Sequence, residues 1–576
     1  MKHRPFRAIC ACLALLLAMT PVCASAEIFG LFGSEPEATA EPARSDDGVI
    51  RVMLASLGTP ETVNLTLDGV YSVENDAGFT FAEGADVTLT AVDDCIYMVT
   101  GALTLALGGE VTFTRNSGEG GVVIAQAGSN RYCGDLTVWA AAGGLTMRLS
   151  TPIEEYLLGV VAYEMSDSFP IEALKAQAVA ARTYAMYKKH HSGNRNYDVV
   201  DTTQDQVYKG VNDEYANVAR AVEETCGIVG YYNDAPAVCY FTASNGGQTA
   251  LATDIWGGSG DYGYLEITDD PYDLENPKSL VNSCAVYRDF AANGRELKQL
   301  LSSRLESAME QAGLTAVKDA KIVEITGVAG AQPRFENTRQ YEQVMFTVTA
   351  QAQRTIRVPV PMEYPDWLVE IVPQLAYEEQ YQSYTYNVNF GGIEIALDTY
   401  SDVKDTLSLG LNGGDYEMVS VAEAENGWSI EMRRFGHGVG MSQRGAQWMA
   451  AEYGMGYMDI LQFYYPGMSF ETVQWTYEPV TLDDAVATLL RARGIAGTAN
   501  QLPELQEGER YARVKLSSAS STLNMRAQPG TNSEIVTVLI NRSRLIAVQV
   551  RDDGWTQVRT AVAEGYVKSE YLEIEE

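Results

Sequence analysis

The sequence predicts an α+β chain of several domains, and three observations carry that expectation. Residues 49–150 alternate apolar and polar side chains between Gly and Asn turns, the period of half-buried strands. Thr151 to Tyr187 (TPIEEYLLGVVAYEMSDSFPIEALKAQAVAARTYAMY) switches to helical spacing, in two segments that meet at an acidic residue. A separate run of short segments with Gly and Pro turns, residues 511–576, predicts a small β-barrel.

In chain order, residues 1–26 carry Lys2, His3, Arg4 and Arg7, an apolar core from Ala8 to Met19, and Ala24-Ser25-Ala26. That is the layout of a secretory signal peptide cleaved after Ala26, which predicts an exported, extracellular protein. The apolar run is too short to span a bilayer, so no membrane span is expected in the mature chain. A lipoprotein reading needs small residues before Cys23, where Thr20-Pro21-Val22 stand. Residues 27–48, rich in Ala, Glu, Pro and Ser, read as a disordered spacer, with folding expected from near Val49.

A formal net charge of -35 sets the chain against nucleic acid and anionic membrane surfaces, which would repel it. An uncharged or zwitterionic polymer is the better partner. Removal of the signal leaves Cys95, Cys133, Cys226, Cys239 and Cys284, an odd number. Cys226 and Cys239 flank a predicted hairpin with its turn at Asn233-Asp234, which makes them a candidate disulfide in an oxidising compartment.

The first helical segment opens at Thr151-Pro152 with Glu154 and Glu155 in its first turn, turns apolar, and stops at Glu164-Met165. Ser166 or Ser168 with Pro170 restarts the chain as an alanine-rich helix. A carboxyl at that break, beside Tyr163, Met165 and Phe169, is partly desolvated, which favours the neutral acid and suits a general acid. The alternative is that Glu164 caps a helix end. Lys175 and Arg182 lie two turns apart on one apolar face and need partners: substrate, solvent or nearby carboxylates.

Further on, YDVVDTTQDQVYKG alternates acid, amide and hydroxyl groups from Asp201 to Gln206 between Tyr197 and Tyr208. Polar groups and aromatic rings converging on a cleft suit sugar binding; the same residues also suit a self-satisfied turn. Glu214 to Cys226 reads as a helix ended by Gly227, Arg295 to Ala312 has helical periodicity, and Lys321 to Val358 alternates as strands. Val358 to Tyr386, rich in Pro and Tyr, reads as an irregular insertion, and Leu482 to Arg493 as a short helix in a linker spanning about 471–510. The motif FGHGVGMSQRGA (Phe435 to Ala446) places glycines at alternate positions, for tight turning and close backbone approach, with Ser442 as a helix cap. His437 and Ser442 do not make a serine hydrolase, because no nucleophile elbow precedes them.

The runs EEYLLGVVAYEM, EALKAQAVAARTYA, DTTQDQVYKG, FGHGVGMSQRGAQ and FYYPGM, in that order, resemble the stage II sporulation protein D (SpoIID/LytB) family of bacterial cell-wall proteins. The resemblance covers roughly residues 50–468, with a diverged middle at about 285–430. It implies a two-lobed catalytic region over 151–470 behind the β-rich part at 49–150. Residues 511–576, with Leu523-Asn524-Met525-Arg526, Gly554-Trp555 and Gly565-Tyr566-Val567 in order, resemble a bacterial SH3-like domain, which implies binding to peptidoglycan peptides. The implied activity is a lytic transglycosylase cutting the bond between N-acetylmuramic acid and N-acetylglucosamine, with an anhydro-muramyl product. Glu164 would be its acid/base, Lys175, Gln177 and Arg182 would position substrate or hold Glu164, and Tyr208, His437 and Ser442 would line the cleft. Asp201 or Asp205 as a second carboxylate would make it a hydrolase instead.

Other relatives are amidase enhancers, which bind the wall and stimulate a separate amidase without cutting glycan. A wall adaptor with a decayed cleft is the third reading. Thr242-Ala243 stands where the family often has a histidine, which keeps the enhancer in view. Gln204 and Asp205 stand where some members have Cys and His holding zinc, so no structural zinc and no cofactor are expected.

Overall fold

The computed structural model describes residues 44–477, 502 and 504–575, apart from 74–78, 82, 102, 117–119, 142–143, 316, 362–363, 375–378, 518–520 and 561–562. The signal peptide, nearly all of the spacer and the Leu482 to Arg493 segment therefore lie outside the described residues. The first described pairing precedes Val49: Ser45–Asp46 runs parallel to Gln474–Trp475, and Arg44 pairs with Glu471 at 2.8 Å.

Strand alternation does what its period dictates. Thr62–Asp68 turns Val63, Leu65 and Leu67 inward and leaves the residues between them partly exposed. Two sheets are built this way. The seven-stranded one has Gly144–Pro152 between Val49–Met53 and Asp135–Ala141; the six-stranded one centres on Thr62–Asp68 and Ala85–Val92. Their apolar faces join one core with the helices that follow.

Gly144–Pro152 runs directly into helix α1, Ile153–Glu164. Thr151 does not cap it; its hydroxyl donates to the Pro152 carbonyl at 3.4 Å. The helix ends at Glu164, Met165 is extended, and Pro170 starts helix α2, Ile171–His190. Ala173, Ala176, Ala178, Ala180, Ala181 and Ala185 of α2 are wholly enclosed. Small side chains let α1, Ala216–Glu224, Gln443–Glu452 and Tyr457–Tyr464 all approach it, so the middle of α2 is enclosed on all sides, Gln177, Arg182 and Thr183 included.

A second core lies within residues 282–433. Helix Arg295–Gln311 lays Leu297, Leu301, Leu305, Ala308 and Met309 over a sheet of three long strands, Val317–Pro333, Tyr341–Pro361 and Glu379–Asp398. The expected irregular insertion at Val358 to Tyr386 is in part a continuation of that sheet. Past the Val317–Arg354 pair, the last two strands run on as a ribbon to the Pro361–Glu379 pair. Pro359 and Pro361 are tolerated because their strand has an open edge there.

The expected barrel at 511–576 is corrected. Among the described residues its seven strands form one sheet that does not close: Ile535–Ile540 lies at one edge and Leu572–Ile574 at the other, with no pairing between them. Closure needs a ladder between the edge strands. Leu572–Ile574 has only three residues, and all of them pair with Ala512–Val514.

The candidate disulfide is absent too. The turn at Asn233-Asp234, both at positive φ, sets Tyr232 opposite Ala235 and Tyr231 opposite Pro236. Cys239 then enters the core while Cys226 stays exposed, and all five described cysteines are free.

Candidate functional site

The end of α1 delivers Glu164, half-buried, to a cavity of about 320 Å³ shared with Ser166, Phe169, Leu280, Phe435, Gln443 and Arg444. Burial pushes its carboxyl above the usual range, while hydrogen bonds from the Gln443 side chain (3.3 Å) and the Val207 backbone pull the other way. Glu164 is thus a desolvated acid with donors ready for its carboxylate form. Gln443 reaches it because Ser442 caps the helix Gln443–Glu452, accepting from the Gly445 amide at 3.0 Å.

The turn Phe435-Gly436-His437 also borders a second cavity, of about 840 Å³, lined by Tyr184, Lys188, Gln204, Asp205, Tyr240, Trp256, Tyr416 and His437 among others. Aromatic rings run through it in a chain: Tyr184 to Tyr240 at 6.2 Å, Tyr240 to Trp256 at 4.6 Å and Trp256 to His437 at 4.9 Å between centroids. Trp256 is 47% exposed. Burial, with the Arg434 charge nearby, pushes His437 down to about 4, so its imidazole is neutral. Its Nδ1 accepts from the Val439 amide at 3.1 Å, and the ring also hydrogen-bonds the Phe241 backbone, so backbone groups fix its orientation at the cavity wall. His437 and Glu164 thus face different cavities across one turn.

The other sequence-predicted residues do not line the Glu164 cavity. Arg182, fully enclosed, forms two bonds to Glu154 at 2.6 and 2.9 Å, and Glu154 also accepts from Trp475 and the Gly227 amide. Lys175 pairs with Glu172 and Glu224 at 2.8 and 2.7 Å. Gln177 is wholly enclosed, with no hydrogen-bond partner for its amide among the described residues. Tyr208 packs over Gly159 and against Tyr156 and Tyr132. The Ser442 hydroxyl donates to Asp273 at 2.6 Å, so its proton is directed away from any imidazole. Asp201 is bound by the Ser56 amide and hydroxyl, and Asp205 by Lys188, Tyr184 and the Val200 amide. Among the described residues, no three or more His, Cys, Asp or Glu side chains converge as metal ligands.

Sequence reasoning missed a buried carboxylate node behind the site. Asp270 accepts from Tyr464 (2.6 Å) and Asn245 (2.7 Å), and Asp273 accepts from Ser244 and Ser442. Burial, with the Asp273 charge adding, pushes Asp270 up to about 6. The signal was present in Asp270-Pro271, a cap followed by proline at the first helical position. Tyr240, Trp256 and Tyr416 were also missed, because scattered aromatics have no motif.

A helix pair around one desolvated acid, a β-rich part ahead of it and a small separate sheet behind define a multidomain protein with a SpoIID-type region. Accordingly, the model of the stage II sporulation protein family matches residues 141–232, and that of the bacterial SH3 domain matches residues 521–573. The chain carries a SpoIID-family domain and a separate bacterial SH3 domain. It is 29% identical to the amidase enhancer of Bacillus subtilis (strain 168) over 54% of this chain and 39% of that protein. An uncharacterized protein of Brachyspira hyodysenteriae is 32% identical over 37% of this chain and 56% of its own length. Stage II sporulation protein D of Bacillus amyloliquefaciens is 28% identical over 55% of this chain and 73% of its own length. The chain thus spans 39% and 56% of the first two relatives.

Proposed function

We propose that this is an exported, peptidoglycan-binding cell-wall protein that stimulates a partner amidase, holding glycan strands in the aromatic groove. The observation that carries this reading is the groove of Tyr184, Tyr240, Trp256 and Tyr416 beside a neutral His437, with Trp256 the exposed ring. Exposed ring faces stack on pyranose rings, and such a surface binds without supplying a proton. The similarity to an amidase enhancer supports the same reading. The SH3 domain adds a second hold, on peptidoglycan peptides.

Trp256→Ala is expected to weaken binding of soluble, stem-peptide-free glycan roughly tenfold, about 1.4 kcal/mol, as one stacking surface is lost. Titration calorimetry on the full chain checks this; unchanged affinity would place the glycan elsewhere.

One observation favours a second reading, the lytic transglycosylase. Glu164 is a lone desolvated carboxyl opening on a cavity, with Gln443 and Arg444 at hand. It would protonate the leaving glycosidic oxygen and, as carboxylate, take the proton from the sugar's own 6-hydroxyl as that oxygen closes the anhydro ring. No water is consumed.

Incubating the protein with intact and amidase-treated peptidoglycan, beside Glu164→Gln, and reading fragments by mass spectrometry separates the two. The enhancer reading expects no anhydro-muramyl ends from either protein, and an amidase accelerated alike by both. Anhydro ends that vanish in Glu164→Gln would replace it with the transglycosylase.

A further inference from the structure

Residues 282–433 carry a feature that neither cavity explains. On the central long strand, Val344, Phe346, Val348, Ala350 and Ala352 face the core. The ribbon continues that same face past the core with Ile356 and Val358, and Tyr386 and Tyr384 stand on it opposite Arg354 and Ile356. These side chains are exposed. Eight residue pairs, from Arg354–Tyr386 to Pro361–Glu379, carry the ribbon roughly 25 Å, at about 3.3 Å per residue. Beyond them the short helix Asp366–Ile371 holds Trp367 and Ile371, four residues apart and so on one side. At 62% and 69% they are the two most exposed large apolar side chains among the described residues.

Charge selects the occupant of this surface. The ribbon and its tip, residues 354–386, contain five carboxylates against two cations, Arg354 and Arg357 at the base, and Asp366 and Glu370 stand exposed beside Trp367 and Ile371. An anionic membrane would be repelled, and so would a second copy of a chain carrying a formal charge of -35. A protein with an apolar pocket rimmed by Lys and Arg is the complement: tryptophan is a strong interface anchor, and surrounding acids steer a basic partner onto it. We infer that the ribbon and its tip are a docking arm for a basic protein, inserting Trp367 and Ile371 into an apolar pocket. Resting on the functional reading above, that protein is the stimulated amidase.

The test uses the full chain and a purified cell-wall amidase of strongly basic isoelectric point. Binding is measured by surface plasmon resonance at low and at moderate salt, and stimulation of peptidoglycan hydrolysis is measured in parallel. The double variants Trp367→Ala/Ile371→Ala and Asp366→Lys/Glu370→Lys are each expected to lose at least tenfold in affinity. Salt should weaken the wild type more than the charge-reversed variant. Both variants change exposed side chains, and unchanged circular dichroism and melting temperature will show that they fold.

Equal affinity in wild type and variants overturns the arm, as does no binding by the wild type. Tip-dependent self-association by sedimentation, or tip-dependent binding to phosphatidylglycerol vesicles in place of the amidase, overturns it as well. Equal stimulation by all three proteins overturns the arm and leaves the functional reading. Tip-dependent binding without any stimulation supports the arm and overturns that reading.

Discussion

Replacement of Arg182 by alanine is expected to cost roughly 3 kcal/mol of stability, a loss set by what remains behind. The guanidinium is fully enclosed and grips Glu154 through two nitrogens, while Glu154 also anchors Trp475 and the start of the strand Ile228–Tyr232 through Gly227. Removing the cation leaves a largely buried carboxylate with two neutral donors, at the point where α1, α2 and residues 474–475 meet. Glu154 keeps some solvent contact, which places the loss at the lower end for a broken buried pair. Arg182→Lys should fall between, because an ammonium cannot reproduce the planar fork. Calorimetric melting of the three proteins checks this. A shift below about one degree for Arg182→Ala would mean that the pair contributes little to holding the helices.

The same pair shows where sequence reasoning stopped. Periodicity set Arg182 and Lys175 on one apolar face and required partners, but spacing cannot name a carboxylate 28 residues away across a helix pair. The break after Glu164 was legible because Met165, the serines and Pro170 are local signals. The ribbon was not. Its prolines read as breakers, and only the register with the neighbouring strand reveals that they stand on an open edge. The aromatic groove draws Tyr184, Tyr240, Trp256, Tyr416 and His437 from five separate stretches, so no window of sequence contains it. At 511–576 the short strands were legible and their closure was not, because closure depends on whether the two edge strands come side by side in space, which no local pattern encodes.

Gly445→Ala is expected to cost about 2–4 kcal/mol, and the loss should itself depend on pH. A Cβ at Gly445 would overlap the Tyr464 hydroxyl and stand 2.7 Å from an Asp270 oxygen, so the bond between those two groups must break. That bond favours ionised Asp270, while burial and the Asp273 charge oppose it. In the folded wild type, Asp270 titrates at about 6 instead of the ordinary value near 3.8, so the native state binds this proton more readily than the unfolded chain. The stability it contributes is full below the ordinary value and is lost as pH rises through about 6. Without the Tyr464 donor the native value climbs further, and the variant loses stability over a wider range reaching toward neutral pH. The melting penalty of Gly445→Ala should therefore be smaller at pH 5, where Asp270 is protonated in both proteins, than at pH 7.5. Tyr464→Phe removes the hydroxyl that the new methyl would strike. Gly445→Ala/Tyr464→Phe should then cost less than the two single changes added together, because both remove the same hydrogen bond. A penalty equal at the two pH values, with strictly additive losses, would show that Gly445 is required for some reason other than the closeness of Tyr464 and Asp270.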